Sequence, residues 1–482
     1  MGGKDRLPAT TDPAPVVADL VARARVAQRA FETANQVRVD EVVTAAGWAI
    51  VEPERNRALA ERAVRDTGLG NVADKIVKNR RKTMGLLRDL ARAKSVGVIA
   101  EMPELGLVEI ARPVGVVGAL TPSTNPAATP ANNIINALKG RNAIIIAPSP
   151  RGASTLALLL SYVHAELGRI GAPRDLVQCL PPPVTREASA ELMRQVDLVV
   201  ATGSQTNVRA AYSSGTPAIG VGTGNVTVIV DETADLVDAA EKIAGSKTFD
   251  NATSCSSENS VIAVAAVRDK LLAALSAVGG ALLDPNEART LERAMFPGGR
   301  LAPELIAQDA PTIAKRVGLT REAVGRARFL IVEQEGVGRE YPFSGEKLSP
   351  VLAFYRAADF DAAAALAERL LWHQGAGHSV GLHTRKDERA VALGLVLPVC
   401  RVIVNQAHCF ATGGSFDNAL PFSLSMGCGT WGRNSISDNL NYRHFLNITR
   451  VVRPLAAERV VEPSEEQLFS AYLHKYGRTP SA

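Results

Sequence analysis

The stretch Val114-Gly-Val-Val-Gly-Ala-Leu-Thr-Pro-Ser-Thr-Asn-Pro-Ala-Ala-Thr-Pro-Ala-Asn-Asn-Ile-Ile-Asn-Ala-Leu-Lys-Gly-Arg-Asn-Ala-Ile-Ile-Ile-Ala147 decides the fold of this chain. Residues 114–120 form a short apolar run, which predicts a strand. A turn of Thr, Pro, Ser and Asn follows. Residues 131–138 then place apolar side chains at helical spacing, with Gly140 just beyond the end. Residues 142–147 are apolar without alternation, as in a strand buried on both faces. The order continues with a helix over 154–167, a strand over 197–202, a helix over 206–212 and a strand over 226–230. This βαβαβ order predicts a parallel sheet covered by helices on both faces.

Upstream, residues 15–94 read as helical, with Val17, Leu20, Val21, Ala24, Ala27 and Phe31 recurring every three to four positions. Lys75-Ile-Val-Lys-Asn-Arg-Arg-Lys82 reads as the wet face of an amphipathic helix rather than a nucleic-acid patch. Residues 105–111 alternate before Pro113, as a short strand does. Downstream, a second α/β series has strands over 261–264, 329–332, 351–354, 379–383 and 402–405. Helices around 266–278 and 362–371 alternate with them. The tail carries a short helix over 465–472.

A chain of 482 residues, 46% hydrophobic and 21% charged, is expected to fold into two or three globular domains. Its net charge of +5 suits anionic small molecules and gives no argument for nucleic acid. The five cysteines, 179, 255, 400, 409 and 428, include no CxxC pair. That supports neither a disulfide framework nor a zinc site, and it fits reduced cytoplasmic thiols. Residues 1–13 are polar and lack the apolar core of a leader peptide, and no run reaches the ~18 apolar residues of a membrane span. Arg6 stands where an N-myristoylation start wants Ser or Thr. No membrane, nucleic-acid or metal partner is expected.

Cys255 lies in Phe249-Asp-Asn-Ala-Thr-Ser-Cys-Ser-Ser-Glu-Asn-Ser-Val261, where a helical pattern over 234–247 gives way to small polar residues. The position falls between the two α/β series, where ligands of such folds bind. A thiol exposed at a turn near a positive helix end ionises readily, and the thiolate is the nucleophile; a buried core thiol is the other reading. Asn125, in Thr121-Pro-Ser-Thr-Asn-Pro126, offers an N–H to developing negative charge, or else caps the next helix. Thr202-Gly-Ser204 ends a strand and opens a helix, where small residues admit a pyrophosphate or simply make a tight turn. Gly220-Val-Gly-Thr-Gly224 and Gly427-Cys-Gly-Thr-Trp-Gly432 mark close backbone approach to a ligand, or turns.

Taken together with Glu346 in Gly345-Glu-Lys-Leu-Ser-Pro350 and with Gly375-Ala-Gly-His-Ser379, these segments resemble the aldehyde dehydrogenase superfamily. Asn142-Ala-Ile-Ile-Ile-Ala-Pro-Ser-Pro-Arg151 and Gly427-Cys-Gly-Thr-Trp-Gly-Arg-Asn-Ser435 are similar, more narrowly, to its coenzyme A-acylating branch. The resemblance runs from about residue 15 to residue 453. It implies an α/β aldehyde dehydrogenase fold: a Rossmann-like NAD(P)-binding domain of residues 1–98 and 114–235, to which 419–433 returns. A catalytic α/β domain of 236–418 carries Cys255. A small β oligomerisation element of 99–113 and 434–453 implies a homodimer or homotetramer, and 454–482 is a tail.

By the same resemblance, Cys255 attacks an aldehyde to give a thiohemiacetal, with Asn125 and the Cys255 N–H as the oxyanion hole. Hydride loss to NAD(P)⁺ then leaves a thioester for coenzyme A. His378 matches a histidine of the acylating branch that handles the coenzyme thiol proton, or it is structural. Cofactor contacts are implied at Thr121, Pro122, Pro148, Arg151, Gly203, Ser204, Gly222, Gly224, Gly429 and Glu346, the last on the nicotinamide ribose. Hydrolytic relatives carry a glutamate base where this chain has Gly220-Val-Gly-Thr-Gly-Asn225, so a thiol acceptor is expected in place of water. With no acidic residue near the end of strand 142–147, Arg151 is free to meet a 2′-phosphate, which leaves NAD and NADP both open.

Residues 251–259 and 438–445 are most similar to acylating sulfoacetaldehyde dehydrogenases, with acetaldehyde as the near alternative substrate. Thr253, Ser254, Ser256 and Arg443 are the sulfonate candidates. The rival readings are a hydrolytic dehydrogenase and a non-catalytic NAD(P)-binding or scaffolding protein.

Overall fold

In the computed structural model, which describes residues 12–477, four helices open the chain: Ala14–Glu32, Gln36–Val51, Pro53–Thr67 and Val72–Leu90. Residues 1–11, read above for leader and acylation signals, lie outside the described residues. Asn35 and Asn71 start the second and fourth helices by accepting the N–H of Arg38 and of Asp74, each at 2.9 Å. Such caps contribute about 1 kcal/mol each. Val17, Leu20, Val21, Ala24, Ala27 and Phe31 are buried, as their spacing predicts.

The lysine stripe departs from expectation. Lys75, Lys78 and Lys82 are 3%, 5% and 8% exposed, so the Val72–Leu90 helix turns this face into the protein and not toward water. Their spacing continues into buried Leu86 and Leu90 on the same helix. The inward stripe is therefore half cationic, and charge alone could not assign its direction.

The quoted stretch forms strand Val116–Thr121, helix Ala128–Lys139 and strand Ala143–Pro148. These strands lie in a five-stranded parallel sheet ordered Val177–Cys179, Ala143–Pro148, Val116–Thr121, Leu198–Thr202, Ala218–Val221. The chain leaves Val116–Thr121 to one side for Ala143–Pro148 and returns to its other side with Leu198–Thr202. The turns beyond Thr121 and Thr202 therefore flank a topological switch point, where open α/β sheets bind ligands. Ile144, Ile145 and Ile146 are fully buried in its core, at about 1.5–3 kcal/mol each.

Strand Val226–Val230 corrects the reading that counted residues 226–230 as the last strand of the first sheet. It lies in the second sheet, seven parallel strands ordered Gly280–Leu282, Phe329–Glu333, Val351–Ala357, Glu258–Val264, Val226–Val230, Val380–His383, Val402–Val404. A strand buried on both faces looks alike in either sheet; only long-range pairing decides between them. The true edge of the first sheet is Ala218–Val221, which the sequence reading took for part of a glycine loop. Helices Arg186–Gln195 and Pro285–Met295 are also additions. A third sheet, antiparallel, pairs Gly97–Met102 with Leu107–Pro113 and Leu107–Pro113 with Leu446–Val452. Among the described residues no helix is long and apolar enough to cross a membrane.

Candidate active site

Cys255 sits in the turn between the 3-10 segment Phe249–Ala252 and strand Glu258–Val264. It follows the C-terminal end of helix Leu236–Thr248, not the start of a helix in its own segment. Asp250, Asn251 and Ala252 adopt φ of 50°, 52° and 59°. Three consecutive left-handed residues without a glycine cost of order 1 kcal/mol or more each. A buried ion cluster holds them in place. Asp250 Oδ2 accepts from Lys78 Nζ at 2.5 Å, Lys75 Nζ at 3.1 Å and Thr253 Oγ1 at 2.7 Å, and its Oδ1 accepts from the Asn71 N–H at 3.0 Å. Burial alone would raise this carboxyl's pKa, but Lys78 and Lys75 outweigh it and hold it below the usual range.

Cys255 opens into a cavity of about 300 Å³ between the two parallel sheets. Of the residues anticipated from sequence, Pro122, Asn125, Gly203, Ser204, Gly222 and Glu346 line it with Cys255, as do the sulfonate candidates Thr253, Ser254 and Ser256. Asn125 accepts at Oδ1 from Lys78 Nζ, 3.0 Å, which leaves its Nδ2–H groups to the cavity; their other contact is Thr124 Oγ1 at 3.5 Å. Gly203 has φ of 140°, and Ser204 caps helix Gln205–Tyr212 by accepting the Asn207 N–H. Glu346 is the one carboxylate among the described lining residues. Its Oε1 is buried without a partner, an acceptor suited to a ribose hydroxyl.

Other anticipated residues stand outside this cavity. Thr121 and Pro148 face each other at the ends of paired strands. Arg151 is exposed on the turn Pro150–Gly152 and forms no ion pair among the described residues. The acidic neighbour missing from the local sequence comes from helix Pro53–Thr67: Asp66 accepts from Ser154 and Thr155 three and four positions on. Gly224 packs beneath the nucleophile; a Cβ there would meet the Cys255 carbonyl oxygen at 2.0 Å. Gly429 lies in a loop where its N–H donates to Ile436 O. Arg443, in the turn Tyr442–Phe445, does not reach the cavity.

His378 also fails to reach it. The ring is 1% exposed, with Nδ1 2.7 Å from Ser379 Oγ and Nε2 lacking a partner. Burial, reinforced by Arg401 and His408, lowers its pKa to about 3. The ring is therefore held neutral, outside the residues that line the cavity.

The surroundings of the half-buried Cys255 work against the low pKa expected from sequence. Burial, then Glu346 and Cys428, push the thiol up to about 12, while its own N–H and Lys78 pull the other way. Burial likewise raises Glu346 to about 8 against Lys247 and Lys347. Sequence reasoning missed Lys82, Cys409, Leu424 and Met426 in the lining. The signal for Lys82 was its place on the stripe of Leu86 and Leu90.

An outer groove shares Gly222 and Thr223 with the cavity and is walled by Trp372, Trp431, Arg209 and Arg433.

A family model described as the aldehyde dehydrogenase family matches residues 9–282. The chain belongs to this family. It is 61% identical over 465 residues to the acylating sulfoacetaldehyde dehydrogenase of Cupriavidus necator, covering 96% of this chain and 94% of that one. Among solved structures, an acetylating aldehyde dehydrogenase from Geobacillus thermoglucosidasius superposes with a TM-score of 0.89 at 35% identity, over 94% of this chain and 98% of that one. A propionaldehyde dehydrogenase from Rhodopseudomonas palustris, with bound CoA and an acylated cysteine, gives a TM-score of 0.81 at 25% identity, over 91% of this chain and 97% of that one.

Proposed function

We propose that this enzyme is a coenzyme A-acylating aldehyde dehydrogenase for a short aldehyde of the sulfoacetaldehyde kind, with Cys255 as nucleophile. The observation that carries the reading is the pairing of Cys255 and Asn125 in a cavity whose one carboxylate among the described lining residues is Glu346. Cys255 Sγ adds to the aldehyde carbon, and the new oxyanion is met by Asn125 Nδ2–H and the Cys255 N–H. A nicotinamide cofactor supplies the hydride acceptor when bound, with Glu346 Oε1 taking a ribose hydroxyl. The acyl group then rests on Cys255 as a thioester. No carboxylate stands at Gly220–Asn225 to activate water, so the acceptor is the coenzyme A thiol, itself a strong nucleophile once ionised. The outer groove leads to this thioester, and Arg209 and Arg433 suit the phosphates of a cofactor entering there. At the turn after strand Ala143–Pro148, Arg151 suits a cofactor 2′-phosphate and Asp66 a free 2′-hydroxyl, so NADP and NAD both fit the reading. The three-stranded antiparallel sheet is the proposed surface for a homodimer or homotetramer.

NAD(P)H formation from sulfoacetaldehyde and acetaldehyde, with and without coenzyme A, tests the reading. Strict dependence on coenzyme A is expected; equal turnover without it, releasing free acid, would overturn it in favour of hydrolysis. Asn125→Ala is expected to lower kcat by about 10²–10³, with a smaller change in aldehyde KM, because the lost N–H acts on the oxyanion and not on the ground-state carbonyl. Steady-state kinetics on both aldehydes check this.

A further inference from the structure

The main cavity adjoins a small alcove lined by Lys78, Arg81, Lys82, Asn125, Ser254 and Phe410. Three cations meet there from one face of helix Val72–Leu90, and among the described residues no carboxylate lines the alcove. Lys78 is neutralised by Asp250. Lys82 and Arg81 form no ion pair among the described residues. Lys82 Nζ donates to the Gly413 carbonyl at 2.7 Å and rests over the Phe422 ring, 5.5 Å from its centroid. Arg81 donates to Ser415 Oγ at 2.5 Å and lies over Phe410 and Phe416, while its buried Nε has no partner. Asp417 lines the neighbouring surface groove with Arg81, close enough for Arg81 to help lower its pKa. A cation that is 92% buried without an anion is expensive, and an anion delivered by the ligand offsets that cost.

The alcove and the outer groove join the main cavity through different residues. The groove joins it through Gly222 and Thr223, the alcove through Lys82, Asn125, Ser254, Cys409 and Leu424, and the two share no residue. Cofactors with long phosphate-bearing tails fit the open groove. The alcove, closed and of about 30 Å³ beyond the main cavity, suits a compact group on a short substrate.

We infer that Lys82, supported by Arg81 and Lys78, receives the terminal anionic group of the aldehyde, a sulfonate or carboxylate, and sets the enzyme's preference for anionic over neutral aldehydes. This rests on the acylating reading above. Lys82 lines the same cavity as Cys255 and Asn125, so an anion on Lys82 leaves a short aldehyde's carbonyl in the space those two residues share. This replaces Arg443 as the cationic contact expected from sequence. The groups facing Lys82 are the Cys409 and Cys255 thiols, Arg81 and Lys78; burial, against those thiols, lowers its pKa to about 7. The anion-binding form is therefore fully populated below that pH and lost above it, and a bound anion restores the proton.

The test compares wild type, Lys82→Met and Lys82→Arg on sulfoacetaldehyde, succinate semialdehyde and propionaldehyde with coenzyme A, alongside calorimetric binding of ethanesulfonate, which needs no turnover. Lys82→Met is expected to lower the ratio of kcat/KM for anionic over neutral aldehydes by roughly 100-fold, mainly through KM, and Lys82→Arg to recover part of it. The wild-type KM for sulfoacetaldehyde should climb above about pH 7 while that for propionaldehyde does not. Whichever of sulfoacetaldehyde and succinate semialdehyde loses more identifies the natural anion. An unchanged ratio in Lys82→Met, or no ethanesulfonate binding by the wild type, overturns the inference. If ethanesulfonate binds through Lys82 but no aldehyde is acylated, the alcove stands and the acylating reading falls.

Discussion

Cys255→Ser is expected to reduce coenzyme A-dependent NAD(P)H formation by about 10⁴-fold or more, because the acyl group passes through that sulfur. A serine hydroxyl is a far weaker nucleophile at neutral pH, and among the described lining residues no histidine stands ready to activate it. Any oxygen ester that formed would exchange poorly with a thiol, whereas a thioester exchanges readily. The intact protein should gain one acyl mass when wild type is incubated with aldehyde and NAD(P)⁺ alone, and the serine variant should gain none. Full turnover by the serine variant would remove Cys255 from the chemistry.

The surroundings of this thiol give its reactivity a definite pH dependence. With its pKa pushed up to about 12, the thiolate fraction rises tenfold per unit between neutral pH and 10, so labelling by iodoacetamide should climb without levelling. Glu346, at about 8, ionises within that window and supplies part of that upward push, so the rise is shallower across its titration. A plateau near pH 7 would mean that the resting thiol is far more acidic than its burial allows.

Much of this arrangement was legible in the sequence, and the gaps have physical causes. The run from Val114 to Ala147 alternates strand and helix periods so cleanly that the first sheet follows from it. Cys255, Asn125 and Glu346 stand in local contexts specific enough to be named as site residues, and the cavity brings all three together. Strand Val226–Val230 was placed in the wrong sheet because a doubly buried strand carries no mark of its partners. The thiol's surroundings were not legible because burial and the approach of Glu346 and Cys428, which push its pKa up, come from distant parts of the chain. The basic stripe from Lys75 to Lys82 was assigned to solvent because exposed lysine is the rule. Only tertiary structure shows Asp250, some 170 positions later, beside those lysines.

That distant pairing makes Asp250→Asn the most damaging substitution outside the nucleophile itself. Its carboxylate neutralises Lys75 and Lys78 together, and each lysine in turn grips the oxyanion turn: Lys75 donates to the Thr124 carbonyl at 3.2 Å, Lys78 to Asn125 Oδ1 at 3.0 Å. One anion thus fixes the left-handed backbone ahead of Cys255 and the amide facing it. Asparagine keeps the shape but leaves two buried ammonium groups without a counter-charge, a loss of about 3–5 kcal/mol in stability. With Lys78 free to withdraw and Asn125 free to turn over, kcat should fall by about 100-fold as well. The pH dependence separates this cause from simple misfolding. Because the Asp250 pKa is depressed in the folded protein, its contribution is complete above the unfolded carboxyl value of about 4 and disappears as pH falls through the folded one. Above about 8, Lys75 sheds its proton and the pair weakens from the other side. The gap between wild-type and Asp250→Asn unfolding midpoints should therefore be widest near neutrality and narrow in both directions; a gap independent of pH would show that the carboxylate's charge is not what holds the two halves of the site together.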